Sequence, residues 1–192
     1  MPRTRREVAL AGHTGDVEAA AAALDDPDPG VRVTALGALE RLDRMTDTVL
    51  RRALNDDAAT VRRRACELAA AYPDVDIVAS LADDDVTVAE MAAWSLGEQS
   101  PPREHAVEAL CGVVRDHGDA LVREAAVAAL GAIGDDRGLP SILHALADKA
   151  TVRRRAVIAL APFDGPEVDA ALRAALDDRD WQVRQAAEDL LD

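Results

Sequence analysis

Two arginine pairs and one tryptophan carry most of the recognition chemistry in this chain. Arg63 and Arg64, and again Arg154 and Arg155, supply planar guanidiniums that bind carboxylates and phosphates through parallel hydrogen bonds. Trp94, with Met91 three residues before it, offers the large amphipathic surface that dominates binding hot spots. Together the six residues would make a basic, partly apolar strip suited to an acidic or phosphorylated segment of another protein. The same residues have a plainer use. Trp94 could pack on a neighbouring helix while the arginines pair with Glu67, Glu90 and Glu124.

Catalytic chemistry finds no comparable set. His13, His105, His117 and His144 fall in separate segments without ligand spacing, and there is no HExxH or Cys-His cluster. The Asp-rich stretches at 25–28, 56–57, 83–85 and 177–180 lack the central Gly and terminal Glu of a calcium loop. Phosphate-binding glycine loops and the GxSxG elbow are missing too. The expectation is a protein with no metal, no cofactor and no catalytic residues. Cys66 and Cys111 lie in apolar helical patterns, which reads as buried reduced thiols in a cytoplasmic setting.

Charge narrows the partners. Acidic residues number 36 against 22 basic, a formal charge of -14, so nucleic acid and anionic membranes are repelled at long range. Lys149 is the single lysine beside many arginines, and Asp outnumbers Glu, a profile of salt adaptation or, more blandly, of a GC-rich genome. No run of about eighteen apolar residues suggests a membrane span. The opening MPRTRREVALAGH lacks the apolar core of a signal peptide and reads as a capping helix over 1–14, with Val8 and Leu10 covering the first helical hairpin.

The elements that must position these side chains repeat. LDDPDPGVRVTALGAL from Leu24 recurs in altered form from Leu54, Leu81, Val114, Leu146 and Leu176. Its anchor valines are Val31, Val61, Val88, Val122, Val152 and Val183, spaced 30, 27, 34, 30 and 31 residues apart. Such a period marks stacked two-helix units rather than a globular bundle. Apolar spacing predicts second ("B") helices over about 29–42, 58–71, 85–98, 119–133, 149–161 and 180–191. First ("A") helices are predicted over about 16–24, 46–54, 74–82, 102–115, 138–147 and 166–176. Asp28, Asp85, Asp119 and Asp180 stand three before the anchor as N-caps; Asp57 and Asp148, four before it, are read the same way. The fold expected is one all-α domain over 1–192, with repeats at about 16–43, 44–72, 73–99, 100–134, 135–162 and 163–192.

On each B helix, positions 0, +4, +7 and +8 from the anchor share a packed face. Positions +2, +3 and +6 point away and differ between repeats. Scaffolds keep packing positions alike and vary those that meet a partner. Trp181, just before the last anchor, reads as covering the array's end. The D-x-x-V-R-x-x-A-x-x-A-L signature, seen six times over about 16–192, resembles short HEAT repeats of the phycobilisome-lyase-like class. That resemblance implies a right-handed α/α superhelix with B helices on the concave side. It also implies that the +1 arginines (Arg32, Arg62, Arg123, Arg153 and Arg184) bond to turn carboxylates or carbonyls of adjacent repeats, a structural ladder with the turn aspartates. The third repeat departs, with Ala89 at +1. The function expected is a non-enzymatic interaction scaffold. A lyase-like enzyme subunit acting on a tetrapyrrole carrier is the alternative. DNA repair, opposed by the charge, comes third.

Overall fold

The computed structural model describes residues 3–103 and 105–191. Residues 1, 2, 104 and 192, which belong to the expected cap, fourth A helix and last repeat, lie outside them. The described residues form an α-solenoid without strands. A leading helix α1 (Arg5–Thr14) is followed by α2 (Val17–Ala22) and α3 (Pro29–Arg41), α4 (Asp47–Ala53) and α5 (Ala59–Ala69). Next come α6 (Val86–Glu98), α7 (Ala106–Asp116) and α8 (Ala120–Ile133), α9 (Leu139–Ala145) and α10 (Ala150–Ala159), and α11 (Pro166–Ala175) and α12 (Trp181–Leu191). The B helices α3, α5, α6, α8, α10 and α12 each pack on the next, forming one continuous layer, while the A helices lie behind them.

Each B helix is anchored as its sequence pattern requires. Val31, Val61, Val88, Val122, Val152 and Val183 are at most 2% exposed. Burial of such a side chain contributes about 1.5–3 kcal/mol. The buried face is wider than expected, because position +5 also packs inward: Leu36, Cys66, Ala93, Val127 and Val157 are fully enclosed. Among the described residues no helix stacks on the outer side of α12, and Leu191 is exposed where its counterpart Leu39 is buried.

Capping explains where the B helices start. Asp28, Asp85, Asp119 and Asp180 accept from the amides of Gly30, Thr87, Leu121 and Gln182 at 2.7 to 2.9 Å. The expected caps at Asp57 and Asp148 do not form; the N-cap positions there are Ala58 and Lys149, which have no capping side chain. Those two helices start one residue later than an Asp cap at either position requires. Asp119→Ala is expected to cost about 1 kcal/mol, read as a lowered urea midpoint with an unchanged slope.

Two further departures have local causes. The expected A helix over 74–82 is only a 3-10 turn at Val78–Ala82. Asp76 accepts from the Val78 amide, and Val75 and Ile77, two apart, are both buried; that is anchoring of extended chain rather than a helical face. In α1, Val8 is buried but Leu10 is 59% exposed. The covering is done instead by Ala11 and by Gly12, whose missing Cβ lets α1 approach Ala38 of α3. The leading helix thus stacks as a B helix would.

The arginine ladder is present, with different acceptors from those expected. Arg32, Arg62, Arg123 and Arg153 each form two hydrogen bonds to one carboxylate of the following repeat: Asp56, Asp83, Asp148 and Asp178, at 2.6 to 2.8 Å. The third guanidinium nitrogen donates back to carbonyls of the arginine's own turn, such as Asp26 for Arg32 and His117 for Arg123. Asp28, Asp85, Asp119 and Asp180 are occupied as caps, two residues further on, and so are not rungs. Arg184 has only its own turn's Asp178 carbonyl, because no repeat follows it in the described residues. Between the third and fourth repeats both halves of the rung are replaced: Ala89 stands for the arginine and His117 for the aspartate. The junction is held instead by Gly97 of α6, where an added Cβ would lie 2.8 Å from the Ala129 Cα of α8.

Candidate functional site

A cleft opens over that rungless junction. It has a volume of about 590 Å³ and lies across α6 and α8. Its floor is made of small residues, Gly97, Ala125, Ala128, Ala129 and Ala132, which leave room above the closely packed helices. Trp94, Met91 and Leu121 rise as its apolar walls, with Trp94 and Leu121 each 44% exposed. Trp94 stands out because position +6 faces away from the core, and its neighbours in the array are Glu67 and Ala128, neither of which covers it. Leu121 was open to detection in the sequence. It occupies the position before the anchor, where the other repeats carry Gly30, Thr60, Thr87, Thr151 and Gln182.

The expected strip of six residues is divided. Met91, Trp94 and Arg155 meet in this cleft. Arg64 stands outside it, held by Glu40 at 3.1 Å and Glu67 at 2.9 Å. Arg63 is exposed and apart. Arg154 belongs to a second, shallower groove near the end of the array, with Ile158, Gln185 and Trp181. Trp181 is 64% exposed, so it lines that groove rather than covering the array's end; the first turn of α12 carries it beyond the last packed helix.

Electrostatics also differ from the basic strip expected. Glu67, Glu90, Glu98 and Glu124 line the main cleft against the single Arg155. Arg155 is itself 3.5 Å from Glu124. The arginines that sequence spacing brought forward thus largely neutralise neighbouring glutamates, while Glu90 and Glu98 have no ion pair among the described residues. The B-helix spacing of roughly one turn per three to four residues puts +2 acids beside +3 and +6 apolar groups. Neither cysteine adds chemistry to the cleft. Cys66 is enclosed, and burial pushes its thiol up to about 11. Cys111 is buried with its Sγ 3.8 Å from the Arg137 carbonyl. Among the described residues no three His, Cys, Asp or Glu side chains are grouped to hold a metal ion, and no helix is long and apolar enough to cross a membrane.

The family described as HEAT repeats matches residues 75–161, which include both helices that frame the cleft. The PBS lyase HEAT-like repeat matches residues 152–178, spanning the Arg153–Asp178 rung. This chain is a HEAT-repeat protein of the phycobilisome-lyase-like class. Solved structures agree on the fold of the HEAT array. It is similar to the YibA protein of E. coli, with a TM-score of 0.70 at 22% identity over 98% of this chain and 75% of that one. An engineered protein gives 0.64 at 20% identity over 98% of this chain and 60% of its own. Human deoxyhypusine hydroxylase, in complex with glycerol, gives 0.51 at 22% identity over 96% and 75%. At these identities the likeness concerns the fold alone. No curated protein sequence matches the chain.

Proposed function

We propose that this HEAT array is a non-enzymatic interaction module that holds a segment of a partner protein against its B-helix layer, in the cleft walled by Trp94 and Met91. The observation that carries this reading is a large aromatic side chain left 44% exposed above a floor of glycine and alanine, in a cleft of about 590 Å³. Packing does not require it there. Hot spots of binding have this anatomy: one or two large anchors at the centre of a concave surface, with charged groups at the rim.

Trp94→Ala is expected to leave the melting temperature unchanged, since the side chain lies outside the core, and to weaken partner binding at least about 30-fold. A photo-crosslinking amino acid at Leu121 reads this directly. It should trap a partner from the native host, and the adduct should vanish with Trp94→Ala. The same probe at Arg173, exposed on the A helix α11, should give none. Adducts formed only from Arg173 would place binding on the opposite layer.

A further inference from the structure

The chemistry of the cleft also selects its occupant. Resting on the groove reading above, we propose that the occupant is a cationic segment: a large apolar residue flanked by arginine or lysine. The cleft lining carries a net three negative charges, from four glutamates and one arginine. Glu67 and Glu124 have arginine neighbours, Arg64 and Arg155. Glu90 and Glu98 have no such neighbour among the described residues and are left to pair with an incoming group.

Three physical arguments point the same way. Covering a carboxylate with an uncharged or acidic segment removes its hydration without returning an ion pair, which is unfavourable; a cation restores the interaction. The exposed indole face of Trp94 attracts a guanidinium or ammonium through its ring quadrupole, and most strongly where water is excluded. The small-residue floor leaves room beside the indole and the glutamates for an aliphatic or aromatic side chain. Recognition of a phosphorylated segment would need several free guanidiniums around one point. Here Arg64 is engaged by Glu40 and Glu67, and Arg155 lies beside Glu124. The overall charge of -14 adds long-range steering of a cationic partner toward the surface.

A test must separate this site from general attraction between a polycation and an acidic protein. A random-dodecapeptide phage library is selected on the whole protein at about 0.15 M salt, where exposed charges are screened beyond about 8 Å. It is counter-selected on Trp94→Ala, which keeps every charge. The expected outcome is a set of peptides with Arg or Lys within a few positions of Leu, Met, Phe or Trp. In fluorescence polarisation their affinity should fall at least about tenfold with Trp94→Ala and again with the double variant Glu90→Gln, Glu98→Gln, which preserves the apolar walls. If the Trp94-dependent peptides are acidic or uncharged, the charge assignment is wrong and the groove reading stands. If cationic peptides bind Trp94→Ala as well as the parent, or no peptide depends on Trp94, the groove reading fails with it.

Discussion

Arg153→Ala should remove about 3–5 kcal/mol of stability, the largest loss from any single rung of the ladder. Arg153 is the most enclosed of the four ladder arginines, with its side chain 6% exposed and its Asp178 partner 16% exposed. Truncation leaves the Asp178 carboxylate without its two guanidinium bonds and the Asp148 carbonyl without its donor. Arg32, with 17% and 15% exposure across its pair, should lose less on the same change. The damage should also be local. In a linear array each repeat touches only its neighbours, and this rung joins the fifth repeat to the sixth. Hydrogen exchange should show α11 and α12 losing protection while α3 and α5 keep theirs. Uniform loss along the chain would mean that the rungs do not act junction by junction. Arg153→Lys should recover only part, because an ammonium cannot form the paired bonds to one carboxylate.

The same rungs contribute to the acid limit of the fold. Hydrogen bonds from Arg62, Arg123 and Arg153 hold the carboxyls of Asp83, Asp148 and Asp178 below their ordinary range. For Asp56 burial acts upward, but Arg32 and the Ala58 amide outweigh it and the net direction is again down. A carboxyl whose pKa is lower in the folded state stabilises fully above its unfolded value, about 3.9, and loses that contribution as pH falls through the folded value. Unfolding free energy should therefore be flat with respect to these groups near neutrality and fall below about pH 4. In Arg153→Ala the guanidinium share of the Asp178 contribution is gone and only the Asp180 amide still favours its charged form, so the acid limb should be shallower than that of the parent.

How much of this was legible beforehand depended on whether a residue acts through its own helix or through a neighbour. The anchor valines and the caps at Asp28, Asp85 and Asp119 follow from spacing within one segment, and the structure places them as read. The rungs required knowing which of several turn acids lies opposite the preceding arginine. That is a matter of how repeats stack, and spacing within one turn favoured Asp85 over Asp83, the carboxylate that Arg62 meets. Charge in the cleft was legible in part. The plainer reading paired the arginines with Glu67 and Glu124, which Arg64 and Arg155 do meet. It did not supply Glu40 or leave Glu90 without an arginine. Arg64 and Arg155 are prominent in sequence, whereas the glutamates that occupy them come from neighbouring helices or the next turn of the same one. Ser95 and Gln99 were silent in the sequence for a further reason. They lie buried at positions where other repeats carry small or unrelated residues, and they satisfy carbonyls of Cys66 and Ala69 near the end of α5. Only the contact between two repeats gives a polar side chain that role.

Glycine substitutions should separate the packing of the array from ordinary helix propensity by the sign of their effect. In a solvent-facing helix interior, Gly→Ala stabilises by about 0.5–1 kcal/mol because alanine loses less backbone entropy. Gly112, inside α7, has open space where a Cβ would stand, so Gly112→Ala should follow that rule. Gly131, inside α8, should reverse it. A Cβ there would fall 2.7 Å from the Ala159 Cβ, 2.8 Å from its Cα and 3.0 Å from its carbonyl oxygen. The obstacle is largely backbone, so no side-chain rotation relieves it, and α8 and α10 must separate. Gly131→Ala should destabilise by about 1–3 kcal/mol, and Gly131→Leu by more. Gly97 on α6 makes the same approach to Ala129, and both residues line the Trp94 cleft. There the separation should also reach function: Gly97→Ala should weaken capture of Trp94-dependent peptides while adding just one methyl to the cleft floor. Urea titrations of Gly112→Ala, Gly131→Ala and Gly97→Ala check the signs. A stabilised Gly131→Ala would show that the B helices are not held at glycine-limited distance, and the cleft's small-residue floor would then have no part in the stacking.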